Sequence, residues 1–281
     1  MRSKRTSYHG GHSGQYCSHA RDRLEDIILR YIELGFKTVG ITEHIPPSDD
    51  RFRYPDEKAL NLTAKDLFNR FDAYIRELNV LKTRYADRIT IYIGMETETV
   101  TGYKAHVNSL IKQFKPDYIV GSVHHVDDIC FDYSQKAYDA LVASLGSFEA
   151  LYKRYFDLQY EMIKTLKPFV VGHFDMIRIY DDNYHKRILS PEIEQKIDRN
   201  LELIKSLNLV MDLNLRPLTK GNKEPYITES ILAKVKKAGI RVVPGDDSHG
   251  VDQAGLNIDK AIDILTQHGF DTHWPFPRLL T

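Results

Sequence analysis

Histidine, glutamate and aspartate side chains recur at the ends of short apolar stretches that have the composition of β-strands. Neutral imidazole and carboxylate are groups that zinc, manganese and iron bind in proteins. One such histidine alone is as readily a surface residue or a packed core residue, but the same local pattern is found six times along the chain. We therefore predict one polynuclear metal centre, and the side chains that would form it are His9, His12, His19, His44, Glu96, His124, His173, Asp247 and His249.

The predicted strands alternate with helices. Apolar periodicity predicts helices over 23–34, 64–84, 103–114, 147–166, 228–238 and 258–268, with a further helix that begins after Ser190. Strands are predicted near 6–9 and over 37–42, 90–94, 118–123, 169–171, 209–213 and 241–243. This alternation indicates about seven βα units with parallel pairing through right-handed crossovers. A closed barrel would gather all the ligand segments at the carboxyl ends of its strands, whereas an open doubly wound sheet would spread them too widely.

The composition is that of an ordinary globular protein and argues against several functional classes. Of the 281 residues, 42% are hydrophobic and 28% are charged, and the formal net charge is zero at pH 7, which argues against a general basic surface for nucleic acid or anionic membranes. No apolar run approaches the ~18 residues of a membrane span, and no apolar stretch follows the basic N-terminal segment as in a secretory signal. Two cysteines, Cys17 and Cys130, are too few for a disulfide framework. We expect one cytoplasmic domain over residues 1–281.

Six motifs follow one another along the chain in an order that resembles a known family. They are similar to those of the polymerase-and-histidinol-phosphatase (PHP) superfamily of metal-dependent phosphoesterases, and within it most similar to those of the histidinol-phosphate phosphatases. The resemblance extends from residue 12 to residue 249, and the motifs are specific as a set although each is weak alone. They are His12-Ser-Gly-Gln-Tyr-Cys17-Ser-His19, Thr42-Glu-His44, Gly94-Met-Glu96, Ser122-Val-His124, Gly172-His-Phe-Asp175 and Asp246-Asp-Ser-His249.

The resemblance implies a distorted seven-stranded β/α barrel of PHP type with three divalent metal ions, which are zinc, manganese or iron. It also implies that Glu43 and Asp246 lie behind the ligands and orient them. By the same analogy, the first metal is bound by His9, His12, Glu96 and Asp247, the second by Glu96, His124 and His173, and the third by His19, His44 and His249.

The first motif departs from the family pattern. The family has His-x-His, and Gly10 stands here at the position of its first histidine. Residues three apart on a regular strand face opposite sides, which would place His9 outside the site and leave the first metal under-coordinated. Alternatively, the two glycines between His9 and His12 permit a β-bulge that turns His9 inward.

The implied activity is the hydrolysis of L-histidinol phosphate to L-histidinol and phosphate in histidine biosynthesis. A metal-bridging hydroxide at the trinuclear site would attack phosphorus, with Glu96 and Asp247 as the ligands on which catalysis depends. The leaving alkoxide needs a proton, for which Asp175 and Asp246 are candidate acids. Either aspartate could instead be structural, as a cap of the helix that follows.

Arginine suits the phosphate group because its planar fork matches the phosphate oxygens. Arg178 is the first candidate and Arg216 the second, although each could instead form a surface ion pair. Asn214 lies in a segment that resembles a strand-end loop of the family and is a further candidate for substrate contact. His125 is either another substrate contact or a histidine packed behind the site.

A pocket for histidinol phosphate should present carboxylates and aromatic rings to the amine and the imidazole. Loops that follow or approach the strands carry such side chains, and the insertion 45–61 could form a lid. Alternatively, these loops are solvated surface without a role in binding. The candidate residues are Tyr54, Asp127, Asp128, Asp132 and Tyr226.

Three alternatives remain at this stage. The chain could act on a different phosphomonoester or on a diester, or it could be a non-catalytic member with a degraded metal site. It could also be a zinc hydrolase of the amidohydrolase type, which would bind one or two metal ions rather than three. In each enzymatic reading the partner is a small molecule rather than nucleic acid or a membrane, and the sequence carries no signal for oligomeric state.

Overall fold

Seven parallel strands form a nearly closed barrel. The structure is a computed structural model that describes residues 5–279, so the first four residues of the basic N-terminal segment lie outside the described part. A separate antiparallel hairpin, β5–β6, follows the fourth barrel strand. The nine strands are β1 (Thr6–Ser7), β2 (Thr38–Ile41), β3 (Thr90–Thr97), β4 (Tyr118–Gly121), β5 (His125–Val126), β6 (Ile129–Cys130), β7 (Val170–Val171), β8 (Val210–Asn214) and β9 (Arg241–Gly245).

The sheet order is β1-β2-β3-β4-β7-β8-β9, and every pairing within it is parallel. The two outer strands approach each other, because the Tyr8 backbone N–H donates to the Pro244 carbonyl at 3.2 Å and the Asp247 N–H donates to the His9 carbonyl at 2.9 Å. These bonds bring the last ligand segment beside the first. The expectation of a β/α barrel is therefore confirmed, and all the carboxyl ends meet at one mouth.

Helices cover the outside of the barrel. They are α1 (Leu24–Glu33), α2 (Pro55–Ala59), α3 (Ala64–Arg84), α4 (Tyr103–Phe114), α5 (Gln135–Leu145), α6 (Phe148–Leu166), α7 (Tyr184–Arg187), α8 (Pro191–Ser206), α9 (Arg216–Thr219), α10 (Glu229–Ala238) and α11 (Ile258–Gln267), with short 3-10 turns at Asp50–Phe52 and Met176–Arg178. Within the described residues, none combines the length and apolar character that a transmembrane span requires.

Local sequence signals explain where several helices begin and end. Thr63 and Asp66 form a reciprocal capping box that starts α3, and the Ser134 hydroxyl accepts from the Ala137 N–H to start α5. The latter helix ends at Gly146, which adopts the left-handed conformation that glycine tolerates best (φ 90°). The predicted helices at 64–84 and 103–114 have the observed bounds, whereas α5 was not predicted.

The barrel interior is filled by aromatic rings below the mouth. Tyr8, Tyr118 and Phe169 are buried and meet edge to face, with centroids 6.1–6.5 Å apart. Gly40 makes room for this packing, because a Cβ there would lie 1.8 Å from the Tyr118 hydroxyl. The Tyr118 hydroxyl donates to the Tyr8 carbonyl at 2.7 Å, so a close-packed floor supports the ligand segments directly above it.

Candidate metal centre at the barrel mouth

Glu96 stands at the centre of the site. It lies near the end of the long strand β3, its side chain is 1% exposed, and the Ser122 hydroxyl donates to Oε1 at 2.6 Å. Imidazole nitrogens surround its carboxylate at 3.0–3.6 Å, contributed by His9, His12, His44, His124 and His173. A carboxylate with ligand-type groups facing both of its oxygens has the arrangement of a bridging ligand between two metal ions.

His9 and His12 both face Glu96, despite their unusual spacing. Strand β1 ends at Ser7, so the alternation of a regular strand does not apply to these residues. His9 Nε2 lies 3.2 Å from Glu96 Oε1, and His12 Nε2 lies 3.6 Å from Oε2. Gly10 permits this course of the chain, because a Cβ on it would lie 2.0 Å from the carbonyl oxygen of Gly40 in β2. The glycines therefore act through close approach of two backbones.

Asp247 is held beside His12 by the neighbouring strand. Its Oδ1 lies 3.4 Å from His12 Nε2, and the Asn214 amide donates to its Oδ2 at 3.2 Å. Asn214 also donates to Asp212 Oδ2 at 3.1 Å, and that oxygen lies 2.7 Å from His9 Nδ1. Asp212 further accepts from the His173 N–H at 2.6 Å. Asp212 was not predicted, and it orients the ring of His9 and holds the backbone of His173.

Glu98 is a second buried carboxylate that the sequence analysis missed. Its Oε2 lies 3.0 Å from His124 Nδ1 and 3.1 Å from His125 Nδ1, and its Oε1 accepts from the Tyr54 hydroxyl at 2.5 Å. His124 thus presents Nε2 to Glu96 while Glu98 holds its other nitrogen. No strand pattern marked Glu98, because β3 ends at Thr97 and the predicted strand ended at Gly94.

A third group of donors lies on the other side of His12. His12, Cys17, His44 and His249 have donor atoms within 4.8 Å of one another. His19, which the resemblance assigned to this position, is in none of the donor groups. Its ring stacks on His249 with centroids 5.1 Å apart, and its Nδ1 lies 3.2 Å from Asp56 Oδ2. The ring of His19 therefore lies beside this group, and Cys17 is a further candidate donor.

The carboxylates and two of the histidines are in the forms that bind cations, whereas neighbouring carboxylates raise the pKa of His9, His12 and His124 against the effect of burial, so metal binding would displace protons from these rings. Burial alone would raise the pKa of Glu96, but the surrounding imidazoles, His9 first, hold that pKa well below its usual range. Asp247 behaves alike, with burial opposed by His9 and His12. Burial lowers the pKa of His44 and of His249, which keeps both rings neutral. Anionic carboxylates and neutral imidazoles are the forms that bind metal ions.

Unpartnered polar atoms provide a separate test of whether metal ions fit. Within residues 5–279, several fully buried nitrogens have no hydrogen-bond partner, among them His9 Nε2, both ring nitrogens of His12, His44 Nδ1 and His173 Nδ1. Leaving a buried polar atom unpaired costs about 1–3 kcal/mol, so this concentration at one point calls for a ligand. The donor set of imidazoles and carboxylates suits divalent metal ions.

The predicted supporting carboxylates lie behind the ligands. Glu43 Oε1 accepts from the N–H and the hydroxyl of Ser13, both at 2.8 Å, and its Oε2 lies 3.5 Å from His12 Nδ1. Asp246 accepts from the Tyr31 hydroxyl and the Gly255 N–H, each at 2.7 Å. Burial raises the pKa of Asp246, but its carboxyl is 1% exposed and tied to the scaffold rather than open to substrate.

A cavity of about 260 Å³ opens over the cluster. Arg216 lines it as predicted, anchored by its Nη1, which donates to the Asp247 carbonyl at 3.2 Å and to Gln253 at 2.8 Å. Lys220 lies on the same wall and was not predicted. Burial, and then the charge of Arg216, lower the pKa of Lys220. The cavity is lined by His19, His44, Tyr54, Glu96, His124, Asp132, Tyr133, His173, Met176, Ile179, Arg216, Lys220, Tyr226, Asp247 and His249.

Four side chains predicted to touch the substrate do not line this cavity: Asp175, Arg178, Asn214 and His125. Asp175 is fully buried and accepts from the Thr228 N–H and hydroxyl at 3.0 and 2.7 Å, so it caps α10. Arg178 donates to Asp175 at 3.2 Å and to the Pro225 carbonyl at 2.8 Å, with its guanidinium 4.6 Å from the Tyr226 ring centroid. Arg178 thus supports the cavity wall from behind.

The fold and the site together define a metal-binding β/α barrel, and comparison with known proteins identifies its family. Residues 9–216 match the PHP domain. A Schizosaccharomyces pombe protein named "Probable histidinol-phosphatase" is 36% identical over 262 residues, which span 92% of this chain and 85% of that protein. A Saccharomyces cerevisiae protein named "Histidinol-phosphatase" is 32% identical over an alignment of 297 positions, which covers 92% of this chain and 88% of that protein. The chain belongs to the PHP family.

A solved structure agrees with the fold. The crystal structure of a Lactococcus lactis histidinol phosphate phosphatase, complexed with zinc, L-histidinol and phosphate, superposes with a TM-score of 0.70 over 95% of both chains at 19% identity. A Listeria monocytogenes protein superposes with a TM-score of 0.80 over 91% of this chain and 99% of that one, at 24% identity. At these identities the likeness concerns the barrel architecture.

Proposed function

We propose that this protein is a metal-dependent phosphatase that hydrolyses L-histidinol phosphate to L-histidinol and phosphate in histidine biosynthesis. The observation that carries the proposal is the convergence of imidazoles on Glu96 beneath a cavity with basic residues on one wall. The names of the two yeast relatives supply the substrate, and the Lactococcus lactis structure holds zinc, L-histidinol and phosphate.

We further propose that the site binds three divalent metal ions. His9, His12, Glu96 and Asp247 would hold the first, Glu96, His124 and His173 the second, and His44 and His249 with His19 or Cys17 the third. When bound, such ions supply Lewis-acid charge and activate water for phosphoryl transfer.

The protein's own residues would position the phosphate and stabilise its charge. Arg216 and Lys220 face the cavity from the wall beside Asp247 and attract a phosphate dianion. Asp175 and Asp246 are engaged elsewhere, so the proton for the leaving alkoxide comes from a group that lines the cavity or from water. A cavity of about 260 Å³ is near the lower end of the range for small-molecule sites, which suits a compact phosphomonoester.

The test is a comparison of substrates at equal metal loading. The purified protein, loaded with zinc or with manganese, should release phosphate from L-histidinol phosphate with a higher kcat/KM than from sugar phosphates, nucleotides or a phosphodiester. A higher kcat/KM for another member of the panel would overturn the assignment of the substrate, and the assignment as a phosphoesterase would stand.

The single domain over 1–281 and the cytoplasmic location stay predictions from the sequence.

A further inference from the structure

The cavity presents two opposite charges that do not pair with each other. Lys220 and Arg216 lie on one part of the wall, and the carboxylate of Asp132 lies on another. Among the residues that the structure describes, neither Asp132 nor Lys220 has an oppositely charged side chain within 4.0 Å. Lys220 is exposed and Asp132 is half-buried, so both charges are accessible to a molecule that carries both signs.

Asp132 differs from the other carboxylates of the cavity. Glu96 and Asp247 face imidazoles at 3.0–3.7 Å and belong to the metal centre. Asp132 contacts no histidine, and its Oδ1 accepts only a weak hydrogen bond from Cys130 Sγ at 3.1 Å. No described residue donates to its Oδ2, which leaves that oxygen available to a ligand.

The position of Asp132 is fixed by its surroundings. It follows the β5–β6 hairpin, and its backbone carbonyl accepts from the Tyr180 hydroxyl at 3.1 Å. Tyr54, Tyr133, Met176 and Ile179 also line the cavity. The cavity therefore offers aromatic and apolar surface together with one anchored carboxylate, which suits an organic cation.

We propose that Asp132 binds the ammonium group of the substrate and selects for phosphate esters of amino alcohols. This inference rests on the proposed function and adds a specificity determinant to it. The phosphate dianion lies toward Arg216, Lys220 and the metal centre, while the ammonium donates to Asp132. Loss of such a charge-assisted hydrogen bond lowers kcat/KM by about 10- to 100-fold.

The experiment pairs a variant with a matched substrate. Wild type and Asp132→Asn are each assayed on L-histidinol phosphate and on 3-(imidazol-4-yl)propyl phosphate, which differs only in lacking the amine. Asparagine keeps the size of Asp132 and can still accept from Cys130. Asp87→Asn is the control, because Asp87 is an exposed residue just before β3, at the end of the barrel opposite the cavity.

We expect Asp132→Asn to lose about 10- to 100-fold on L-histidinol phosphate, mainly in KM, and to hydrolyse the deaminated ester as well as wild type does. Unchanged turnover of that ester also shows that the variant is folded and metal-loaded. If Asp132→Asn keeps the preference of wild type for the aminated substrate, the inference is overturned while the proposed function stands. If wild type does not hydrolyse L-histidinol phosphate, the proposed function fails and the inference with it.

Discussion

Glu98 offers the sharpest test of how the barrel prepares its ligands. Among the described residues, Glu98 is in none of the candidate donor groups for metal ions. It contacts His124 and His125 through Oε2 and accepts a hydrogen bond from Tyr54 through Oε1. Burial alone would raise the pKa of Glu98, but the neighbouring imidazoles, His124 first, hold it well below its usual range. The charged carboxylate therefore orients His124 and makes its Nε2 a better donor.

Two substitutions separate charge from geometry. In Glu98→Gln the amide nitrogen can take the Oε1 position, because the Tyr54 hydroxyl can rotate and accept a hydrogen bond from it. The amide oxygen then takes the Oε2 position and still faces His124 and His125. The negative charge is lost, together with the carboxylate oxygen that lies 3.5 Å from His44 Nδ1, and we expect metal affinity to fall about 10-fold, or about 1.4 kcal/mol. Glu98→Ala also removes the orientation of His124, and we expect about 100-fold, or about 2.7 kcal/mol.

The assay is a zinc titration against a chromophoric chelator, with bound metal counted by mass spectrometry. Glu57→Gln serves as the control, because Glu57 accepts from the Tyr54 N–H at 2.8 Å and contacts no histidine. We expect the control to bind zinc as wild type does. Wild-type affinity in Glu98→Ala would refute the claim that this carboxylate prepares His124 for binding.

Three further predictions concern the first motif and the scaffold. His9→Ala should lose about one metal ion per chain by elemental analysis, whereas His268→Ala should lose none; equal metal content in both would show that His9 is not a ligand. Gly10→Ala should lower stability by at least about 1–3 kcal/mol in thermal denaturation, because its Cβ would lie 2.0 Å from a carbonyl oxygen of β2, and an unchanged Tm would contradict this contact. Asp181 is buried, which opposes ionisation, but its bonds to Arg187 and a tyrosine lower its pKa. The stabilisation by Asp181 is therefore present above about pH 4 and is lost as pH falls through the lowered pKa. In urea denaturation at a series of pH values, Asp181→Asn should lower the free energy of unfolding by about 3–5 kcal/mol at pH 7 and by much less at acid pH. A loss of stability that does not change with pH would count against this role.

The alternation of strands and helices was readable because the longer helices each have an apolar stripe. The predictions for 64–84 and 103–114 match α3 and α4. Helix α5 was missed although Ser134 caps it and two of its residues, Tyr138 and Leu141, are buried, which is the same number as in α4. The strands β1 and β7 proved shorter than predicted, since two hydrogen-bonded residues suffice to set the direction of a ligand segment.

The ligand types and the supporting carboxylates Glu43 and Asp246 were predictable from the sequence, but Asp212 and Glu98 were not. Histidines and acidic residues at strand ends can be recognised from the sequence alone. Asp212 cannot, because it contacts His9 only once β8 and β9 are paired in the barrel. The contacts of Arg178 and Asp175 could not be read from the sequence, because their partners, at Pro225 and Thr228, are about 50 residues away in the chain. Lys220 lies in a loop with no sequence signal of its own.

The most direct test of the account is the joint measurement of metal content and phosphate release for wild type and Glu96→Gln. Glu96 is the carboxylate on which the imidazoles converge, and glutamine preserves its size. We expect wild type to carry bound metal and to release phosphate from L-histidinol phosphate, and Glu96→Gln to lose both together. Full phosphate release by a Glu96→Gln protein that has lost its metal would contradict the claim that this centre performs the reaction.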